Sequence, residues 1–515
     1  MRVLIFHGYL LRGTGSNIYN VSLVRALADL GHEVHLLCQE RDPSGIDSVD
    51  AVGSWDHGEL KVEELRSPVR VTVYRPEIGR VLPVYVADHY EDFDAVPFPE
   101  LDEAAVEQYI EANVQAVRAV CERVRPDVAL ANHLVMGPAI LARALGGKVP
   151  YAVKVHGSAL EYTVRPHSER FLPYAAEGLD RASAVLVGSG HTARSLWEVT
   201  GIEGLADKTR LGPPGVDVDA FRPRTVDEAR AGLRELAQRL EGAAAANWGG
   251  EEGAAAALAA LDPERDRIVS YVGKLIVSKG VHLLLAAWPL VVAAVPDARL
   301  CIVGFGAYRD TLGALLDALA VGDLGPIDRI AALGRGLEGG PPQRLAYLSA
   351  FLAGLDGERR AAYLAAAPGA ARRVTFTGRL EHGDLPGLLP ACEAQVVPST
   401  FPEAFGMVAA EAAACGALPL SAAHSGLAEV STTLARALDD DLRELLSFEH
   451  GPESVAQIAD KLIRWLSLEP ARRSAASAAI ADLARRIYGW EGVALGVIAA
   501  AEGRLSELPH ADPSG

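Results

Sequence analysis

Two carboxylates, Glu403 and Glu411, frame a short turn in the stretch QVVPSTFPEAFGMVAAEAAACGALPLSAAHSGLAEV, with seven residues between them. The stretch reads as strand, Gly/Pro-punctuated loop, helix, strand and loop. The helix is expected to start near Phe405 or Gly406, with Gly416 as its left-handed C-cap. On one continuous helix, eight steps of about 100° would set the two carboxylates roughly 80° apart. With Glu403 still in the loop, both approach a ligand seated on the helix N-terminus. The free N–H groups of Phe405, Gly406 and Met407, together with the positive end of the helix dipole, suit a phosphate or sugar hydroxyls.

Three further groups sit where parallel α/β sheets hold ligands. Lys274 and Lys279 lie five apart in a strand-to-helix loop, Gly273 to Gly280, with Gly at both ends. His133 and His156 each close an apolar strand, at the carboxyl end that faces the ligand crevice of an open sheet. Gly13 and Gly15 occupy the first βα turn and let backbone approach something closely. That turn invites comparison with a dinucleotide site, and Glu40 stands where a ribose-binding acid would. The G-x-G-x-x-G pattern fails at its third position, which is Ile18.

These residues need elements to position them. Apolar runs predict strands at 3–6, 34–37, 71–74, 84–86, 128–131, 151–155 and 184–187, with helices over 17–30, 101–124 and 137–145. This makes a Rossmann-like domain complete by about residue 205. A Pro/Gly connector, Gly212-Pro213-Pro214-Gly215, marks a hinge. The Ala/Glu-rich tract 225–267 reads as helices around a Gly-Gly break, a surface insertion. Strand order restarts at 268–272, 299–303 and 374–377, with helices over 282–295 and 384–392 and a helical excursion over 307–372. Helices at 453–466 and 471–505 close the chain.

The chain of 515 residues carries a net charge of −18. That argues against a general nucleic-acid binder, whose affinity rests on Lys and Arg at phosphates. It disfavours anionic lipid too, although a local basic patch would leave peripheral membrane contact open. The five cysteines form no CxxC pair and read as buried reduced thiols. No signal peptide is visible, and the longest apolar run, 283–295, is too short to span a bilayer and holds Pro289. A cytoplasmic location is the expectation.

In order along the chain, the motifs resemble the GT-B glycosyltransferases, specifically retaining family 4. They are Gly13-Thr14-Gly15; Val155-His156-Gly157; Pro214-Gly215-Val216-Asp217 with Phe221-Arg222-Pro223; and Gly273-Lys274 with Ser278-Lys279-Gly280. Val303-Gly304-Phe305-Gly306, Val374 to Gly378, Pro398-Ser399 to Glu411, Ser425 to Val430, and Trp490-Glu491 follow. The resemblance implies two Rossmann-like domains facing a cleft, with a C-terminal helix returning towards the first. Expected bounds are 1–207, 208–475 with helical insertions near 225–267 and 307–372, 476–506 for the helix and 507–515 for a tail.

It also implies a retaining hexosyltransferase that uses a UDP- or GDP-sugar and a hydroxyl acceptor (sugar, polyol, lipid or small molecule), with no metal or other cofactor. Lys274 and Lys279 would neutralise the diphosphate leaving group. The family pattern usually carries Arg at the first of these, so Lys274 keeps the charge without the planar fork. Glu403 would touch sugar hydroxyls and Glu411 the ribose diol. Phe405, Gly406 and Met407 would meet sugar or diphosphate, and Gly15 the phosphates. His156 would bond a sugar hydroxyl or help the oxocarbenium-like state, with His133 and Glu429 as further binding positions. A phosphorolytic relative and a catalytically silent binding subunit are the rival readings.

Overall fold

A computed structural model describes residues 1–12, 15–85, 94–243 and 253–511. The chain divides into two units, 1–215 with 488–515, and 216–487. The first is built on a sheet whose strands run, edge to edge, Thr209–Leu211, Ala184–Val187, Tyr151–Val155, Val128–Asn132, Arg2–Phe6, Glu33–Leu37, Val71–Tyr74, Ala51–Asp56 and Glu59–Glu64. All neighbours pair in parallel except the last two, which form an antiparallel edge hairpin. The central strands are apolar on both faces because helices cover both, as parallel sheets require. The order reverses at Arg2–Phe6, which pairs with Glu33–Leu37 on one side and Val128–Asn132 on the other. Doubly wound sheets bind ligands at such a switch point.

Helix Glu103–Val124 starts where Asp102 accepts the Ala105 N–H at 2.7 Å, and ends at Arg125 in the left-handed conformation. It packs on the sheet face opposite helix Gly15–Asp29. The face bearing Gly15–Asp29 also takes the last helix, Trp490–Ala501, through Ala494, Val497, Ile498 and Ala501. Tyr19 meets Trp490 edge-on, with ring centroids 5.4 Å apart. The C-terminal helix therefore returns to the first unit, as expected.

Three expectations move. The expected single helix 471–505 is two, Pro470–Tyr488 and Trp490–Ala501, because Gly489 takes an extended conformation. The first lies in the second unit up to Ile487 and the second lies in the first unit. The domain boundary falls after Gly215 rather than 207, because Thr209–Leu211 adds a strand beside Ala184–Val187. The strand expected at 84–86 is Val81–Val84, paired in a separate two-stranded sheet with Asp94–Pro97; residue 86 lies outside the described residues.

The second unit holds a sheet in the order Val374–Gly378, Ala298–Val303, Arg267–Val272, Ala394–Val397, Leu418–Ala422, Ser447–Phe448, all parallel. Its switch point lies between Arg267–Val272 and Ala394–Val397. Helix Val281–Ala294 is buried on nearly every side, Trp288 included. The excursion 307–372 explains why: its helices Arg309–Val321 and Gly357–Ala371 pack on it, and Tyr363 donates to the Ala286 carbonyl at 2.9 Å.

The tract 225–267 is more than a surface insertion. Helix Val226–Ala243 is opened by Thr225 and Glu228, whose side chains each bond the other's backbone N–H. It buries Leu233, Leu236 and Ala237 and packs on the turn His382–Gly387. The Gly-Gly break itself lies outside the described residues. The expected helix 384–392 is two 3-10 turns, His382–Gly387 and Leu389–Ala391, since Pro386 and Pro390 forbid a regular helix. All five cysteines are unpaired and four are buried. Burial pushes the Cys38 and Cys392 thiols up to about 12, so they are inert. No described helix is long and apolar enough to cross a membrane.

Candidate active site

The second unit gathers its candidate site residues at the switch point. Strand Arg267–Val272 ends in the lysine loop, whose 3-10 turn Val277–Lys279 presents Lys279 to Glu403 as an ion pair. Both side chains are partly buried. Glu403 is held by its backbone: its N–H donates to Ser425 Oγ at 2.9 Å, and its carbonyl accepts the Gly426 N–H at 2.9 Å. The facing loop is tied to the lysine turn, because Thr400 N–H and Thr400 Oγ1 both donate to the Ser278 carbonyl, at 2.8 and 3.1 Å. His424 Nε2 reaches the Ser399 carbonyl at 2.7 Å. Two loops from neighbouring strands are thereby locked together around one lysine and one carboxylate.

Lys274 stands exposed in the same loop, with its carbonyl accepting from the Tyr271 hydroxyl at 2.9 Å. Gly406 precedes helix Met407–Ala414, so Phe405, Gly406 and Met407 lie at its start, and Gly416 closes it at φ 84°, as the sequence predicts. Glu429 sits half-buried on helix Ser425–Ala435.

Gly426 has a steric reason. A Cβ there would lie 2.6 Å from Phe405 Cα and N, a separation only a displaced loop would relieve. Gly426→Ala is expected to cost about 1–3 kcal/mol of stability. A thermal melt reads it; an unchanged Tm would show that the Glu403–Phe405 loop is not held by this close approach.

Glu411 is almost wholly buried, and its Oε1 bonds His382 Nε2 at 2.8 Å. Burial alone would lower the His382 pKa. The hydrogen bond and charge of Glu411, with Asp217 beyond, hold it above its ordinary value instead. His382 is a candidate site residue that sequence reading missed. Its position directly after a strand-end Gly-Arg-Leu-Glu loop is the signal that could have found it, and Arg239–Asp384, 3.1 Å, braces its turn.

The first unit has its own cluster at the carboxyl ends of Arg2–Phe6, Val128–Asn132 and Tyr151–Val155. His156 Nε2 lies 2.7 Å from Asn132 Oδ1. Gly157 follows at φ 94°, and then a π-helical turn, Ala159–Val164, a deviation frequent at functional positions. His133 is fully buried at φ 67°, and both its ring nitrogens lack a hydrogen-bond partner among the described residues. Its ring packs against those of His7, Tyr85 and His156 at 5.5, 4.5 and 5.0 Å. Burial holds all three imidazoles below their ordinary pKa, His7 at about 4 against the upward pull of its own hydrogen bonds, and repulsion between neighbouring positive charges lowers His133 and His156 further. They are neutral at physiological pH.

His7 was also missed, although it too closes a strand and precedes Gly, the feature that selected His156. Gly15 opens helix Gly15–Asp29, and Gly13 lies outside the described residues. The structure thus brings together Lys279 with Glu403, and His133 with His156. It places Glu411 beside His382.

Two Rossmann-like units, with the last helix returned to the first, define the GT-B fold of glycosyltransferases. Residues 14–215 match the family model for a glycosyl transferase 4-like domain, and residues 348–482 match that for glycosyl transferases group 1. Both matched models are glycosyltransferase families, and together they cover about two thirds of the chain. It is 29% identical over 289 residues to a D-inositol 3-phosphate glycosyltransferase of Salinispora tropica, covering 56% of this chain and 44% of that one. The Mycobacterium leprae protein of the same name is 26% identical over 343 residues, 67% of this chain and 58% of that one. The chain thus spans about half the length of these curated relatives. Among solved structures, sucrose-phosphate synthase from Thermosynechococcus elongatus aligns with a TM-score of 0.55 at 20% identity, over 98% of this chain and 99% of that one. Anabaena Alr3699/HepE in complex with UDP and glucose aligns at 0.56 and 16%, over 99% and 100%. At these identities the structures share the fold.

Proposed function

We propose that the chain transfers a hexosyl unit from a nucleoside-diphosphate sugar to a hydroxyl acceptor, with retention of anomeric configuration. The observation that carries this reading is the Lys279–Glu403 pair, locked between two strand-end loops at the second unit's switch point. A diphosphate leaving group gathers charge as the sugar–phosphate bond breaks. A fixed ammonium is suited to neutralise it without a metal, and Lys274 supplies a second cation in the same loop. Glu403 then takes sugar hydroxyls, Glu411 the ribose diol, and the helix start at Phe405 to Met407 the diphosphate. Neither glutamate is a nucleophile. Retention follows if the departing phosphate takes the acceptor's proton on the face it leaves. The unpaired cysteines fit a reducing, cytoplasmic setting.

Thermal-shift measurement with UDP, GDP, ADP and their sugars tests the donor. A ligand at 100 times its Kd adds about 2.7 kcal/mol of stability, so one nucleotide series should raise Tm clearly. The relatives' names make an inositol phosphate the first acceptor to try, with product anomer read by proton NMR. No shift with any nucleotide would sink the transferase reading. Sugar 1-phosphate formed from inorganic phosphate would replace it with phosphorolysis.

A further inference from the structure

A buried hydrogen-bond chain in the first unit runs from the first βα turn to His156, and backbone carbonyls fix its direction. Asn132 Nδ2 lies 3.2 Å from the Phe6 carbonyl and 2.9 Å from Asn20 Oδ1. A carbonyl only accepts, so the amide of Asn132 must turn its nitrogen to Phe6 and its Oδ1 to His156. Asn20 is fixed in the same way, because its Nδ2 lies 2.8 Å from the Ser16 carbonyl and 3.1 Å from His7 Nδ1. Both asparagines are fully buried, so no solvent competes for these bonds.

Two backbone carbonyls thus orient two amides, and the amides select two imidazole tautomers. His7 receives at Nδ1, so its proton is on Nε2, where it donates to Asn17 Oδ1 at 3.0 Å and the Leu10 carbonyl at 3.1 Å. The Leu10 carbonyl requires that same tautomer, an independent check. His156 faces Asn132 Oδ1 with Nε2, so Nε2 carries its proton. Its Nδ1 has no hydrogen-bond partner among the described residues, and the ring is partly exposed.

We infer that Asn132 is a positioning residue that fixes His156 as its neutral Nε2–H tautomer and presents Nδ1 as a hydrogen-bond acceptor to the substrate, with Asn20 linking that ring to the first-turn loop. The inference rests on the reading that His156 faces the transferred sugar. Of the two roles open to His156, it selects acceptance of a hydroxyl proton and sets aside cationic support of the oxocarbenium-like state. A neutral acceptor bonded to a hydroxyl rejects sugars lacking it, because bound sugar then covers the nitrogen and leaves it unpaired.

Imidazole nitrogen NMR of the full chain labelled with 15N-histidine tests this, with His156 assigned by its loss in His156→Gln. The expected spectrum shows Nε2 protonated and Nδ1 as a lone pair, unchanged between pH 6 and 8. A protonated Nδ1, an even tautomer mixture or an imidazolium in that range would overturn the inference. Asn132→Asp keeps the shape and adds a carboxylate, which favours the charged ring. His156 should then titrate near neutrality and add an inflection to the pH profile of transfer. Asn132→Leu should lower kcat about tenfold, yet change it by less than about twofold in a His156→Ala background, since a residue acting through His156 has nothing left to act on. Equal losses in both backgrounds would make Asn132 merely structural. The spectra need no turnover. A wild type without transferase activity but with the expected tautomer would therefore fail the proposed function and leave this assignment standing.

Discussion

Lys279→Ala is expected to lower transfer by about 10²–10³-fold, the loss typical of removing one group that stabilises developing charge, about 2.7–4 kcal/mol. The fold should survive. Lys279 sits on a loop turn and is partly exposed, and its ion pair with Glu403 is too solvated to contribute much stability. The loops also stay tied through Thr400, Ser278 and Ser425. Lys279→Arg keeps the charge and should recover part of the rate, whereas Lys279→Met should not. Steady-state kinetics on a variant with wild-type circular dichroism decides it. Near-normal turnover by folded Lys279→Ala would remove the diphosphate role and leave the lysine as Glu403's counter-ion.

Lys154→Met should stabilise the chain below neutral pH, by an amount that shrinks as pH rises. Lys154 is on strand Tyr151–Val155, 2% exposed, with Nζ donating to the Gly212 carbonyl and lying 5.5 Å from the Tyr19 ring centroid. Burial without a carboxylate lowers its pKa from 10.5 to about 7. The unfolded chain keeps the ordinary value, so between pH 7 and 10.5 it binds more protons than the folded chain, and stability rises with pH across that window. Below pH 7 the full penalty stands, with a ceiling of about 5 kcal/mol at about 1.4 kcal/mol per pH unit. Methionine keeps the stem and drops the charge, though the Gly212 carbonyl loses a donor, which returns about 1 kcal/mol. Denaturant midpoints at pH 6, 7.5 and 9 should converge for the two proteins. A pH-independent difference would show that Lys154 does not titrate in this range.

What the sequence shows of this molecule is local. Strands ending in His-Gly, a lysine loop ended by glycines, and a helix opened by Gly406 and closed by Gly416 are all legible, since each is written within a dozen residues. The pairs that make these residues work are not. His382 reaches Glu411 across 29 positions, and Asn132 meets Asn20 across 112. Only the sheet order brings them together. The same limit hid the hairpin Ala51–Asp56 with Glu59–Glu64, whose outer strand ELKVEE alternates but carries only Leu60 and Val62 as apolar residues among charged ones. It also hid the split of the last helix, because Gly489 is one residue in a run of good helix formers.

That outer strand has a consequence for solubility. An open sheet offers its edge to any other edge, and Glu59–Glu64 is the terminal strand of nine. Two copies laid side by side in the same direction would set Glu59, Lys61, Glu63 and Glu64 each against its like. Laid head to tail in full register, they would oppose Glu59 to Glu64 at both ends. Like charges directly across a ladder repel, so the most heavily charged strand of the sheet is the one that keeps it from growing.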